Sequence, residues 1–437
     1  MKNAEIREAR RRFLAAGAAA VAAGSLLSVG SLRAQKAGNP APANKPEADK
    51  KPASDPTCKH VILVYANGGP SQFETFDPKP GQKTGAPFKI IKTEVPGFTP
   101  VEHLPRIAAL ATELCLIRNM RSDTVDHAHA RHLMHTGWLS NPTISRPGLG
   151  NIVSHQLGGG GSDLPGFVKF GGPGASAGYL GAEHNAFIVK KAGEKLDNLE
   201  RAPGVDKERA ARRARLVREM DADFAEVHGD KATTERRISF ERARRLMESP
   251  LRSTFYLDDE PDSVWQDYGG TEFARSCVAA RRLVEKGVPA VEIHLDGWDT
   301  HDDAFKRNVA NCETLDRPFA ALIKDLKSRG LLESTLVAWY GDFGRTPKLT
   351  ATSGRGHSSS NFCVLLAGGG VRGGQVIGET NEDGTELVGG FHSPRDLFAT
   401  FGQLMSWKTE QQFQAGTRPT FLVEKEAHPI KAVYEKA

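Results

Sequence analysis

Four strand-like segments, each bordered by a polar turn that contains glycine, constrain this chain more than any other feature. They are His60 to Ala66, Ala290 to Leu295, Thr335 to Tyr340 and Asn361 to Ala367. The first, a continuous apolar run that ends in a glycine-rich turn, suits a parallel strand buried on both faces. Helical patterns over 270–286 and 306–329 precede the second and third runs. Ser393-Pro394-Arg395-Asp396 opens another helix with a capping box and a first-turn proline. This alternation predicts an α/β fold, a mostly parallel central sheet with helices on both faces. Elsewhere the sequence predicts a helix near 103–114, a histidine-rich helix near 127–137, and long loops with short strands over 141–190. The heavily charged stretch 194–253 predicts a solvated helical hairpin, inserted into an α/β domain that spans 59–437.

In such sheets functional groups gather beyond the carboxyl ends of the strands. The first run is followed by Asn67-Gly68-Gly69-Pro70-Ser71, and the second by Asp296-Gly297-Trp298-Asp299-Thr300-His301. The third is followed by Gly341-Asp342-Phe343-Gly344-Arg345-Thr346, and Gly354-Arg355-Gly356-His357 lies just before the fourth. Imidazole nitrogen with carboxylate oxygen makes a ligand set for zinc, manganese or iron. Arg345 and the glycine-rich turn suit an oxyanion such as phosphate or sulfate. Plainer roles stand beside these: Asp299 as a helix cap, Asp342 as a turn former, His357 as an exposed loop residue. Convergence at one sheet edge favours the metal site. His127, His129, His132 and His135 fall within nine residues. On a helix 129 and 132, or 132 and 135, share a face, so at least two of the four are structural or solvated. His294, inside the second run, and His392, before a helix cap, read as structural.

The basic balance is local. The net charge is +5, and residues 1–34 carry six Lys/Arg against two acids, leaving about +1 for the rest. Nucleic acid is therefore not an expected partner. Arg10-Arg11-Arg12-Phe13-Leu14 followed by an Ala/Gly/Ser/Leu stretch reads as a twin-arginine export signal over 1–34, not as a permanent membrane span. Residues 35–58 read as a Pro/Ala/Lys spacer. The expected location is periplasmic or secreted, with the twin-arginine translocase as the partner during export. Five scattered cysteines form no CxxC pair and leave room for one or two bridges at most.

The chain resembles the bacterial domain-of-unknown-function 1501 family. The likeness is carried by the run from Asn67 to Asp77, Thr136-Gly137, Ala280-Arg281-Arg282-Leu283-Val284-Glu285-Lys286-Gly287-Val288, Gly297-Trp298-Asp299-Thr300-His301, Asp342-Phe343-Gly344-Arg345-Thr346-Pro347 and Ala367-Gly368-Gly369-Gly370. That family is similar in turn to the alkaline phosphatase and sulfatase superfamily. The resemblance implies Asp299, His301 and His357 on one metal and Asp342 as a further ligand. Phe343 stands where a histidine is usual, and Asn67 where the first metal-binding aspartate is. It implies His127 at the nucleophile position. No Cys-x-Pro-Ser-Arg motif exists, so formylglycine chemistry is excluded. The expected function is an exported hydrolase of phosphate or sulfate esters that uses one or two divalent ions (zinc, manganese, iron or calcium). Its substrate would be a small-molecule or polysaccharide ester. Arg345 would neutralise the oxyanion, and Ser71 or His127 would serve as nucleophile or general base. The alternative is a non-catalytic envelope- or carbohydrate-binding protein on a decayed hydrolase scaffold.

Overall fold

The central sheet has eight strands: β1 (His60–Ala66), β2 (Leu114–Met120), β3 (Phe167–Phe170), β4 (Phe187–Val189), β5 (Ala290–Leu295), β6 (Thr335–Gly341), β9 (Phe362–Ala367) and β10 (Gln375–Ile377). Between β6 and β9 a separate hairpin forms from β7 (Gly344–Leu349) and β8 (Arg355–Ser358). The computed structural model describes residues 58–158, 162–173, 176–196, 199–228 and 231–435. The expected leader over 1–34, and the spacer up to residue 57, lie outside the described residues.

The strand order is β10-β2-β9-β6-β1-β5-β3-β4. Every neighbouring pair is parallel except the two that involve β9, which runs against both β2 and β6. Alternate residues of β1 face opposite cores, as a two-sided sheet demands. Ile62, Val64 and Ala66 join one core with buried residues of helices Glu272–Glu285 and Ala304–Ser328. Val61, Leu63 and Tyr65 join the other, packed by helices Leu149–Leu157 and Pro394–Leu404.

Three expectations change. The helix expected near 103–114 is a single turn, Pro105–Ala108, then a 3-10 turn, Ala111–Glu113, and strand β2 begins at Leu114. Residues 141–190 hold a helix, Leu149–Leu157, whose buried Leu149, Ile152 and Val153 keep helical spacing inside glycine-rich flanks. Strand β9 is antiparallel, so its first residues, not its last, lie at the carboxyl edge of β6. In the charged stretch 194–253 the helices are Lys207–His228 and Lys231–Glu248. All five cysteines are buried and free. Among the described residues no helix is long and apolar enough to cross a membrane.

Candidate metal centre

Two glycines draw the strand ends together. Gly68 and Gly69 hold positive φ angles of 110° and 78°, a region where a side chain is strained. A Cβ on Gly68 would sit 2.5 Å from the Asp299 backbone nitrogen, and one on Gly69 would sit 2.8 Å from the Phe343 ring. The turn after β1 therefore packs directly on the loops after β5 and β6. Two buried arginines then fix the β7–β8 hairpin. The Arg345 guanidinium donates to the carbonyls of Gly69 (2.9 Å), Trp298 (3.1 Å), Arg355 (3.2 Å) and Gly68, and to Asp299 Oδ1 at 2.6 Å. Arg355 pairs with Glu74 at 2.7 Å, both side chains being fully buried, and donates to the Thr346 and Pro347 carbonyls. This hairpin carries His357 across the sheet edge, and the antiparallel β9 follows from it.

The histidine-rich helix, His127–Thr136, starts at an Asp126 cap and ends at Gly137 in the left-handed conformation. Its first residue enters the same edge. His127 Nδ1 lies 2.7 Å from Asp342 Oδ2, while its buried Nε2 makes no hydrogen bond. His357 Nδ1 lies 2.8 Å from the Val125 carbonyl, which accepts a proton and cannot give one. In both rings these partners place the hydrogen on Nδ1 and leave Nε2 unprotonated; that of His127 has no hydrogen-bond partner, and that of His357 meets His301. The two lone pairs face Asp299: His127 Nε2 is 3.5 Å from Oδ2, and His357 Nε2 is 3.4 Å from Oδ1. Ligand atoms of His127, Asp299 and His357 all lie within 4.8 Å of one another. His301 Nε2 stands 2.8 Å from His357 Nε2 and 3.1 Å from Asp299 Oδ1. Burial works to raise the Asp299 carboxyl, but the Arg345 hydrogen bond and charge, with His301 and His127, hold it below its ordinary value. Burial, with Arg345 nearby, lowers His357 and keeps it in the neutral, ligating form.

This donor set fits a divalent cation. Three ligands with an open side are the pattern of a catalytic site, and a carboxylate behind a histidine fixes the ring that binds. The orphaned Nε2 of His127 is the kind of buried polar atom that asks for a partner.

The residues singled out in the sequence divide into two groups. Asp299, His301, His357, His127 and Asp342 come together. Asp342 is fully buried, and its oxygens take His127 Nδ1, the Tyr65 hydroxyl and the Gly68 N–H, so it orients His127 from behind. Asn67 turns away and donates to Asp296 Oδ1 at 2.8 Å. Ser71 is fully buried, and its Oγ has no hydrogen-bond partner. Arg345 is fully buried among carbonyls and Asp299, where the sequence pointed to an oxyanion clamp. Phe343, also fully buried, stacks beside His127 (4.9 Å) and His357 (4.6 Å) and walls the centre. Sequence reasoning passed over Tyr65 and the Val125 carbonyl. A tyrosine in the last turn of an apolar strand was the one available signal.

No curated protein matches the chain. Among solved structures it is similar to the PsFucS1 sulfatase from Pseudoalteromonas sp., at 14% identity over 82% of this chain and 69% of that one, with a TM-score of 0.38. The lipoteichoic acid synthase LtaP from Listeria monocytogenes is similar at 9% identity over 83% and 75%, with a TM-score of 0.38. Alkaline phosphatase from the Antarctic bacterium TAB5 is similar at 14% identity over 81% and 100%, with a TM-score of 0.37. A family model described as a protein of unknown function, DUF1501, matches residues 58–434, and the chain belongs to that family.

Proposed function

We propose that the chain is an exported, metal-dependent hydrolase of phosphate or sulfate esters that works with one divalent ion. The observation that carries this reading is the pair of histidines, His127 and His357, each held through Nδ1 and each turning an unprotonated Nε2 toward Asp299. The ester class comes from the resemblance of the motifs, and the geometry contributes the ligand set. A divalent cation held by His127, Asp299 and His357 supplies Lewis-acid polarisation of the ester oxygen. Asp342 keeps His127 in the ligating tautomer. His301, 44% exposed and beside His357, is the group placed to take a proton from an attacking water. Ser71 is too deeply buried to reach a substrate. With the oxygens of Asp342 engaged and Asn67 turned to Asp296, the residues support one ion and not a two-ion clamp.

The second reading, a binding protein on a decayed scaffold, is favoured by Phe343, an apolar wall where the resemblance expects a ligand. Elemental analysis of protein purified without chelator, paired with turnover of 4-nitrophenyl phosphate and 4-nitrophenyl sulfate, separates the two. One equivalent of metal and turnover that both vanish in His357→Ala support the hydrolase. Metal uptake without turnover of any ester supports the binding protein. Failure to take up zinc, manganese, iron or calcium rules out the metal centre.

A further inference from the structure

Beyond the metal centre, the same helix runs into a second polar cavity. His127, Arg131 and His135 are spaced four residues apart, so they follow one face for about 12 Å at ~1.5 Å per residue. The far end of that face lines a cavity of about 610 Å³. Arg131, His132, His135 and Arg146 border it, and Lys169 and Glu292 form part of its wall from β3 and β5.

The charges there do not balance. Glu292 is the only acid on the lining, and it is already engaged. Lys169 Nζ reaches its Oε1 at 2.6 Å and His135 Nε2 at 3.1 Å, with the Lys169 and Glu292 side chains each 3% exposed. That leaves the two arginines without a salt bridge among the described residues, although Tyr179 hydrogen-bonds to Arg146 and the Glu424 charge acts on it. Arg131 forms no ion pair among the described residues. The Arg146 guanidinium lies 3.4 Å over the Trp138 ring and gives Nη1 to Thr420 Oγ1 at 2.7 Å. Two buried nitrogens of lining residues, His132 Nε2 and Arg146 Nε, have no hydrogen-bond partner. A cavity lined by two arginines, a lysine and two histidines against a single, already engaged acid suits an anionic group.

We propose that this cavity binds the oxyanion group (carboxylate, sulfate or phosphate) of a ligand that extends along the helix to the metal centre. The substrate it would select is a polyfunctional anion, with one acidic group in the cavity and an ester at His127. Only the link to turnover rests on the hydrolase reading; anion binding does not need it. Arg131 is a specificity-determining residue here, with no ion pair among the described residues to lose.

The test is isothermal titration of the full chain, as purified, with glucuronate, glucose 6-sulfate and glucose 6-phosphate at fixed ionic strength, with glucose as the neutral control. At least one anion should bind where glucose does not. Arg131→Gln should weaken that binding about tenfold or more, as loss of a charge-assisted bond implies. Ser145→Glu, an exposed lining position, should weaken it too by adding a repelling charge. His357→Ala should leave it intact. Whichever of the three anions shows this dependence supports the cavity and names its chemistry. Binding lost in His357→Ala and kept in Arg131→Gln would place the anion on the metal centre and overturn the proposal, as would equal binding of glucose and all three anions. A metal-free, inactive protein that still binds an anion through Arg131 would uphold the cavity while removing the hydrolase reading.

Discussion

His127 and His135 stand two turns apart on one helix, and each meets a buried carboxylate, yet the two imidazoles end in opposite states. His127 gives Nδ1 to Asp342 and keeps Nε2 free. His135 has both nitrogens engaged, Nδ1 with the Arg131 carbonyl at 2.8 Å and Nε2 with Glu292 at 3.1 Å, so no lone pair remains for an ion. A lysine completes the second group, sharing Glu292 with His135. In the first, the half-exposed Asp299 faces two unprotonated Nε2 atoms. A histidine beside a carboxylate is thus no sign of a metal until the other nitrogen is accounted for.

The strongest way to break this comparison is His357→Ala. It should abolish bound metal by elemental analysis while lowering the unfolding free energy in urea by less than about 1 kcal/mol, since the side chain is partly exposed. Retention of metal would end the distinction between the two groups. Next, Glu292→Ala leaves Lys169 buried without a partner and should cost about 3–5 kcal/mol in urea unfolding, with metal content unchanged. A loss below ~1 kcal/mol would show that Glu292 is not what holds Lys169 in the core. Third, Asp342→Asn keeps the shape but weakens the acceptor behind His127. It should lower metal affinity about 10–100-fold, read by competition with a chelating dye.

The smallest effect is on pH dependence, and it separates histidines from carboxylate. Burial lowers His184 to about 4 and lowers His132 as well. Their folded pKa values lie below the ordinary 6.5, so the unfolded chain takes up these protons first. Stability is complete above that value and falls as the pH drops toward 4. Glu292 is fully buried, which opposes its charge, yet His135 and Lys169 hold it well below the ordinary carboxylate range. Its contribution is therefore complete above about 4.5 and fails only in stronger acid. In His184→Gln the decline between pH 6.5 and 4 should flatten; an unchanged slope would remove His184 from the account.

The parallel strands were legible where burial on both faces writes an uninterrupted apolar run, as in β1 and β6, and in β5 through its alternation with helices. Strand β2 was not, because Leu114-Cys115-Leu116-Ile117 directly follows a helical turn and shares its apolar character. The Leu149–Leu157 helix was hidden by Gly148 and Gly158 at its ends, although Leu149, Ile152 and Val153 keep the spacing. The site residues were legible as types at strand ends, not as atoms. Nothing in the sequence says that Arg345 faces carbonyls, that Asp342 lies behind His127, or that Ser71 is sealed. These follow from packing between segments hundreds of residues apart. A lysine inside Phe167-Val168-Lys169-Phe170 was the missed clue, since a charge in a two-sided strand demands a partner.

The β7–β8 hairpin has a consequence for timing. His357 touches the Val125 carbonyl, 232 residues away in the chain. At ~5–20 residues per second, synthesis of that interval takes roughly ten to fifty seconds. Through that time His127 has been made, but the ring that faces it has not. A nascent chain therefore cannot trap an ion in the mature geometry. On the proposed reading, metal selection is left to the completed fold.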